Sequence, residues 1–227
     1  MIVNKLHLIF TASLLGVFLA GQSVALDDWQ DEFKLSSRKL TDTGEAKYFV
    51  LTPGFQIVLA NADTTLTLKV LNETKTINNI STRVVEEKEE QNGAVSEIAR
   101  NYYAMDSSTG DVFHFGEDID TYENGTITSH TGSWMAYKNG SKPGMAMPGT
   151  PKIGMKFYQE IAPGIIMDRS EIVSLNENLS TKAGQFKGCL KTKDTSKLHA
   201  DTLEYRLFAP KIGLAQFEDL KLVRYGK

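Results

Sequence analysis

Thr181-Lys-Ala-Gly-Gln-Phe-Lys-Gly-Cys-Leu-Lys-Thr192 is the most informative stretch of the chain. After a polar gap it is answered by Glu204-Tyr-Arg-Leu-Phe-Ala-Pro-Lys-Ile-Gly-Leu-Ala-Gln-Phe217. The pair reads as two strands, each started or bent by glycine. Gly184 gives a turn a residue that takes positive φ without steric cost. Phe186, Gly188 and Leu190 then fall on one face by the two-residue repeat of a strand, and Gln185, Lys187, Cys189 and Lys191 on the other. The second strand, 204–209, stops at Pro210, which has no N–H to give a ladder. Gly213 lets it resume as 214–217. Strands interrupted in this way belong to a strongly bent sheet.

Three segments together carry a resemblance: Pro148-Gly-Thr-Pro-Lys-Ile-Gly154, the Thr181–Leu190 turn and strand, and Phe208-Ala-Pro-Lys-Ile-Gly-Leu214. The set resembles a loose group of uncharacterised secreted bacterial proteins. Their C-terminal halves carry a Pro-to-Gly strand start, a TPAGTF turn and a YAPGIGLV strand. The match covers roughly residues 148–222. Lys182 stands where the group usually has Pro, and Lys211 where Gly is usual. The resemblance implies a half-open antiparallel β-barrel of the kind found in periplasmic lipoprotein carriers. It implies no specific activity.

The whole chain has 227 residues, 41% hydrophobic and 23% charged, with a net charge of −3. That suits one globular domain with an adequate core. It offers no basic surplus to neutralise phosphates, so nucleic acid is not an expected partner. Residues 1–25 read as a signal peptide: Lys5, an apolar run from Leu6 to Ala20, and the small-x-small Ser23-Val24-Ala25. The run is short for a spanning helix. A periplasmic or secreted domain of residues 26–227 is expected, not membrane-spanning after cleavage. Cys189 is the single cysteine, which leaves no intramolecular disulfide and no cysteine zinc site. It reads as a packing residue.

Trp29 and Phe33 are four apart, which predicts a short helix after the signal. From there on, strand patterns recur about every ten residues with turns between them, and no β–α alternation appears. Leu66, Leu68 and Val70 alternate with polar or smaller neighbours. Gln91-Asn92-Gly93 and Asn124-Gly125 are hairpin turns. The expected fold is mainly β: one large curved antiparallel sheet or half-open β-barrel with a short N-terminal helix.

A two-residue turn at Asn124-Gly125 pairs Ile119 with His130, Glu117 with Gly132 and Phe115 with Trp134. One face then holds Phe113, Phe115, Ile119 and Trp134, with Glu117 and His130 at diagonal positions within reach of each other. The other, wet, face holds His114, Asp118 and Asp120. A bulge anywhere in the hairpin undoes this register. Glu117 beside His130 on an apolar wall would orient a ligand or raise the imidazole pKa. The commoner use of such a pair is a structural ion pair.

His114, Asp118, Asp120 and Met135 could be grouped as metal ligands, but hard oxygens and a thioether prefer different ions, and a solvated acidic face is the commoner reading. Met145 and Met147, with Met155 and Met167, could bind Cu(I); methionine more often fills gaps in a core. No metal and no cofactor is expected. Charge is uneven: residues 81–125 carry a net −8, and residues 181–227 a net +5. The sequence shows no nucleophile elbow, H-E-x-x-H or Walker loop, so an enzyme is not expected. The expected function is a non-enzymatic carrier that holds a lipid or other apolar ligand on a concave sheet. Phe113, Phe115, Glu117, His130, Trp134, Phe186 and Leu190 are the expected ligand-binding residues. The alternative is a structural or interaction component of the cell envelope.

Overall fold

The computed structural model describes residues 28–227. The expected signal peptide lies outside the described residues. The first half contributes β1 (Leu40–Thr41), β2 (Glu45–Ala46), β3 (Phe49–Val50), β4 (Gln56–Ala60), β5 (Thr64–Ile77), β6 (Ile80–Gln91), β7 (Ala94–Asp106) and β8 (Val112–Glu123). Short strands β9 (Thr126–Ser129), β10 (Trp134–Met135), β11 (Gly144–Met147) and β12 (Lys156–Tyr158) follow. The last are β13 (Asp168–Thr181), β14 (Gly184–Ser196), β15 (Leu203–Ala209), β16 (Gly213–Phe217) and β17 (Leu220–Gly226).

Fifteen of these form one antiparallel sheet, in the order β10-β8-β7-β6-β5-β4-β17-β16-β15-β14-β13-β12, with β1 on β7 and β9 and β11 on β8. β2 and β3 pair separately. The last strand, β17, lies against β4 in the middle of the sheet and joins the two halves. Long hairpins dominate because tight turns favour them: Asn92 and Gly93, and Asn124 and Gly125, all have positive φ. Asn78 and Asn79 turn β5 into β6 in the same way.

The sheet does not close into a barrel, since β10 and β12 end the ladder. Its ends nevertheless approach. Lys142 N–H donates to the Ile161 carbonyl at 2.8 Å. A Cβ at Gly144 would stand 2.0 Å from the Gln159 carbonyl oxygen, so only glycine permits this backbone approach.

No N-terminal helix forms; the described helical structure there is one 3-10 turn, Leu35–Ser37, and Lys34 before it is left-handed at φ 48°. The expected helix gives way to a strap. Gln30 N–H donates to the Lys156 carbonyl at 3.0 Å and its carbonyl accepts from Tyr158 at 2.9 Å. The strap covers the open edge of β12, which would otherwise present unpaired groups. Trp29 packs edge-on to Tyr158 and Phe33 packs on Phe113, so the two aromatics serve different contacts. Arg38 fixes the strap's end through ion pairs to Asp106 and Asp111.

Two turns match one another. In Thr52-Pro53-Gly54-Phe55, the Gly54 N–H donates to the Val70 carbonyl and Val70 N–H donates to the Phe55 carbonyl. In Lys152-Ile153-Gly154-Met155, Gly154 and Met155 exchange the same two bonds with Ile172. Gly54 and Gly154 have φ of 86° and 85°. Each turn leads into a strand that pairs with a fourteen-residue strand of a long hairpin.

Two buried clusters share the interior. The larger includes Phe113, Phe115, Trp134, Met145, Met147, Ile172 and Leu190. The smaller includes Leu59, Leu66, Cys189, Phe217 and Leu222. Cys189 is fully buried, and burial raises its thiol pKa, so it packs rather than reacts.

Candidate functional site

Two glycine bulges determine which side chains face the interior. Gly116 in β8 has φ 137°. The ladder with β7 slips there, from Asn101 opposite Glu117 to Tyr103 opposite His114. One extra residue flips everything beyond it to the other face of a strand. His114 and Glu117, three apart, therefore line the same cavity, along with Ile119. Gly188 in β14, at φ 66°, does the same in the other half. Phe186 and Cys189 join the smaller cluster and Leu190 the larger, so Phe186 and Leu190 do not share the face that simple alternation gives them.

The cavity has a volume of about 390 Å³ and lies where the two clusters meet. Phe55, Leu68 and Leu214 pack against both. Its apolar wall comes from β4, β5 and β6: Ile57, Leu66, Leu68, Val70 and Val85, with Phe55 from the preceding turn. The facing wall comes from β15 and β16, with Arg206, Phe208, Leu214 and Phe217. The segment between β12 and β13 supplies Gln159, Glu160 and Ile165.

One end of the cavity is crowded with carboxyl groups: Glu87, Glu97, Glu117, Glu160, Asp168 and Glu204. Glu87 and Glu97 each have an interaction partner already. Burial pushes the Glu117 carboxyl well above the usual carboxylate range, and Glu160, Glu87, Glu97 and Asp168 push it further. Burial, then Glu160, pushes Asp168 up to about 7, against the opposing pull of Ser196 and Arg206. Arg206 is the one Lys or Arg among the described lining residues. Its Nε lies 3.4 Å from Asp194 and its Nη2 3.3 Å from Glu204, so its charge is already matched.

His114 is 3% exposed. Its ring stacks on Tyr103 at 4.7 Å and stands edge-on to Trp134 at 5.2 Å. Its Nδ1 is 3.2 Å from Glu160 Oε1, and its buried Nε2 has no hydrogen-bond partner among the described residues.

Of the expected ligand-binding residues, Glu117 lines this cavity. Phe113 and Phe115 are fully buried in the larger cluster, as is Leu190. Phe186 is half-buried beside Tyr225. Trp134 is buried next to His114 and lines a separate hollow with Lys75 and Asp118. Glu117 and His130 do not meet. A bulge between Thr121 and Tyr122 breaks the hairpin register, and Trp134 faces Glu117 instead of Phe115. His130 lies outside on the surface, 2.9 Å from Asp120.

The grouping of His114 with Asp118, Asp120 and Met135 dissolves likewise. Asp118 pairs with Lys75 and Tyr102, and Asp120 with Arg100. No three described His, Cys, Asp or Glu side chains converge as metal ligands. Met145 and Met147 are buried among aromatic and aliphatic neighbours of the larger cluster.

Sequence counting missed His114, Glu160, Asp168 and Arg206. The one available signal was Gly116 inside an otherwise regular strand, which marks a bulge. No family model matches the chain, and no curated protein or solved structure matches it either.

Proposed function

We propose that the protein is an exported, non-enzymatic carrier that holds the apolar part of a small amphiphile inside its bowed sheet. The observation that carries this reading is the cavity itself. A hollow of about 390 Å³ at the junction of two packed clusters falls within the usual range for small-molecule sites, roughly 300–1,000 Å³. A protein whose interior served only stability would fill such a space, because each lost contact weakens the core. The wall is apolar along one side and polar at one end, as a site for a chain with a headgroup requires. Export rests on the N-terminal apolar segment, and the periplasm or the medium is the expected location.

The test is uptake of a fluorescent apolar probe, N-phenyl-1-naphthylamine, by protein purified without detergent. Saturable uptake is expected, and Val85→Phe, which fills the cavity, abolishes it while the far-ultraviolet circular dichroism stays unchanged. Absence of uptake, together with native mass spectra free of any bound lipid, would favour an envelope scaffold instead.

A further inference from the structure

We propose that the amphiphile carried in the cavity is cationic, with an ammonium headgroup drawn to the part of the lining formed by Glu117, Glu160, Asp168 and His114. The proposal rests on the carrier reading above and specifies the chemical class of the ligand. Three independent features converge on it.

The first is the charge of the lining. Six carboxyl side chains and one guanidinium line the cavity; Arg206 is held by Asp194 and by Glu204, one of the six, and Glu87 and Glu97 have contacts of their own, which leaves Glu117, Glu160 and Asp168 to set the local charge. An anionic headgroup would have to displace a carboxylate to reach it and would enter a field of like charge. A cation meets the opposite situation, in a low-dielectric pocket where the attraction is strong.

The second is the placement of the three carboxyl groups. The Glu160 and Gln159 N–H groups both donate to the Asp168 carbonyl, at 3.3 and 2.8 Å, so residues 160 and 168 are held side by side. Glu160 in turn reaches His114, and the Gly116 bulge brings Glu117 to the same wall. Burial first, then Glu160 and other carboxyls, raises the proton affinity of Glu117, and burial first, then Glu160, raises that of Asp168 against the pull of Ser196 and Arg206.

The third is the imidazole. Its Nδ1 lies 3.2 Å from Glu160 Oε1, and in the tautomer that carries the proton there Nε2 holds a lone pair. That buried atom finds no partner among the described residues, and neither does Nε1 of Trp134, whose ring stands edge-on to His114. Buried polar atoms are otherwise satisfied almost everywhere in folded proteins. In that tautomer it lacks a donor, and an ammonium group supplies up to three. The apolar chain then runs along the Phe55, Leu68 and Val85 wall.

The experiment displaces the bound fluorescent probe with three ligands of equal chain length: dodecylammonium, dodecanoate and dodecanol. It is run at pH 8 in moderate salt, below the micellar range. Dodecylammonium should displace the probe at a concentration at least tenfold below that of dodecanoate or dodecanol. In the double variant Glu117→Gln/Glu160→Gln, dodecylammonium should lose that advantage over dodecanol, and a far-ultraviolet circular dichroism spectrum and thermal transition like those of wild type show that the variant is folded. Equal or tighter binding of dodecanoate would overturn the proposal and make Arg206 the headgroup site. Equal or tighter binding of dodecanol would overturn it in favour of a neutral hydroxyl ligand. In both cases the carrier reading survives. Displacement by none of the three would sink the carrier reading along with the proposal.

Discussion

Asp168 sits in the cavity with a pKa of about 7, so near neutrality its carboxyl is divided between the neutral and ionised forms. In the unfolded chain it ionises near 4. The folded state therefore binds this proton more tightly. The stability that follows is complete below about pH 4 and is lost as the pH rises through about 7. Asp168→Asn removes the ionisation. Relative to wild type it should be more stable at pH 8 by roughly 2–4 kcal/mol, from about 1.4 kcal/mol per pKa unit. At pH 4 the gain should vanish. Urea denaturation at the two pH values checks this, and a gain of equal size at both would contradict it.

Gly116 and Gly188 act at the level of the strand. The alternation of β8 could be read correctly from Val112 to Phe115 and again from Glu117 onward, but not across the glycine between them. A Cβ at Gly116 would lie 2.5 Å from the Trp134 carbonyl oxygen, on top of a φ of 137° that side chains rarely adopt. Gly116→Ala should cost about 2–4 kcal/mol from backbone strain and crowding together. Gly125→Ala meets open space at φ 77° and should cost only about 1 kcal/mol. Denaturant midpoints of the two variants test the difference, and equal losses would show that crowding at Gly116 plays no part. The bulge also explains what the sequence left unread. Glu117 was found because it lies among apolar neighbours. His114 was assigned to water because the count ran one residue out of step; Glu160 lies on the connection after β12, and Asp168 is the first residue of β13, where alternation has only begun.

For the molecule as a whole, the strand-rich character and the antiparallel hairpins were legible. They depend on local turn chemistry and on spacing. The strand order was not legible, because the pairing of β4 with β17 joins residues some 160 positions apart and no local pattern encodes it. The helix predicted from Trp29 and Phe33 failed for a related reason: the edge of β12 needs a cover, and that demand outweighs a single four-residue spacing.

The matched turns at 52–55 and 152–155 have one more consequence. The first has Pro53 before its left-handed glycine; the second has Ile153 in the same place, 67% exposed. A ring-locked residue at that position is compatible with the bend the second copy already makes. Ile153→Pro should therefore narrow the freedom of the denatured chain and raise the thermal midpoint, by the equivalent of about 0.4–1 kcal/mol. A lower midpoint on calorimetry would mean that the two corners differ in backbone despite their shared hydrogen bonds. One half of the molecule thus serves as a design template for the other.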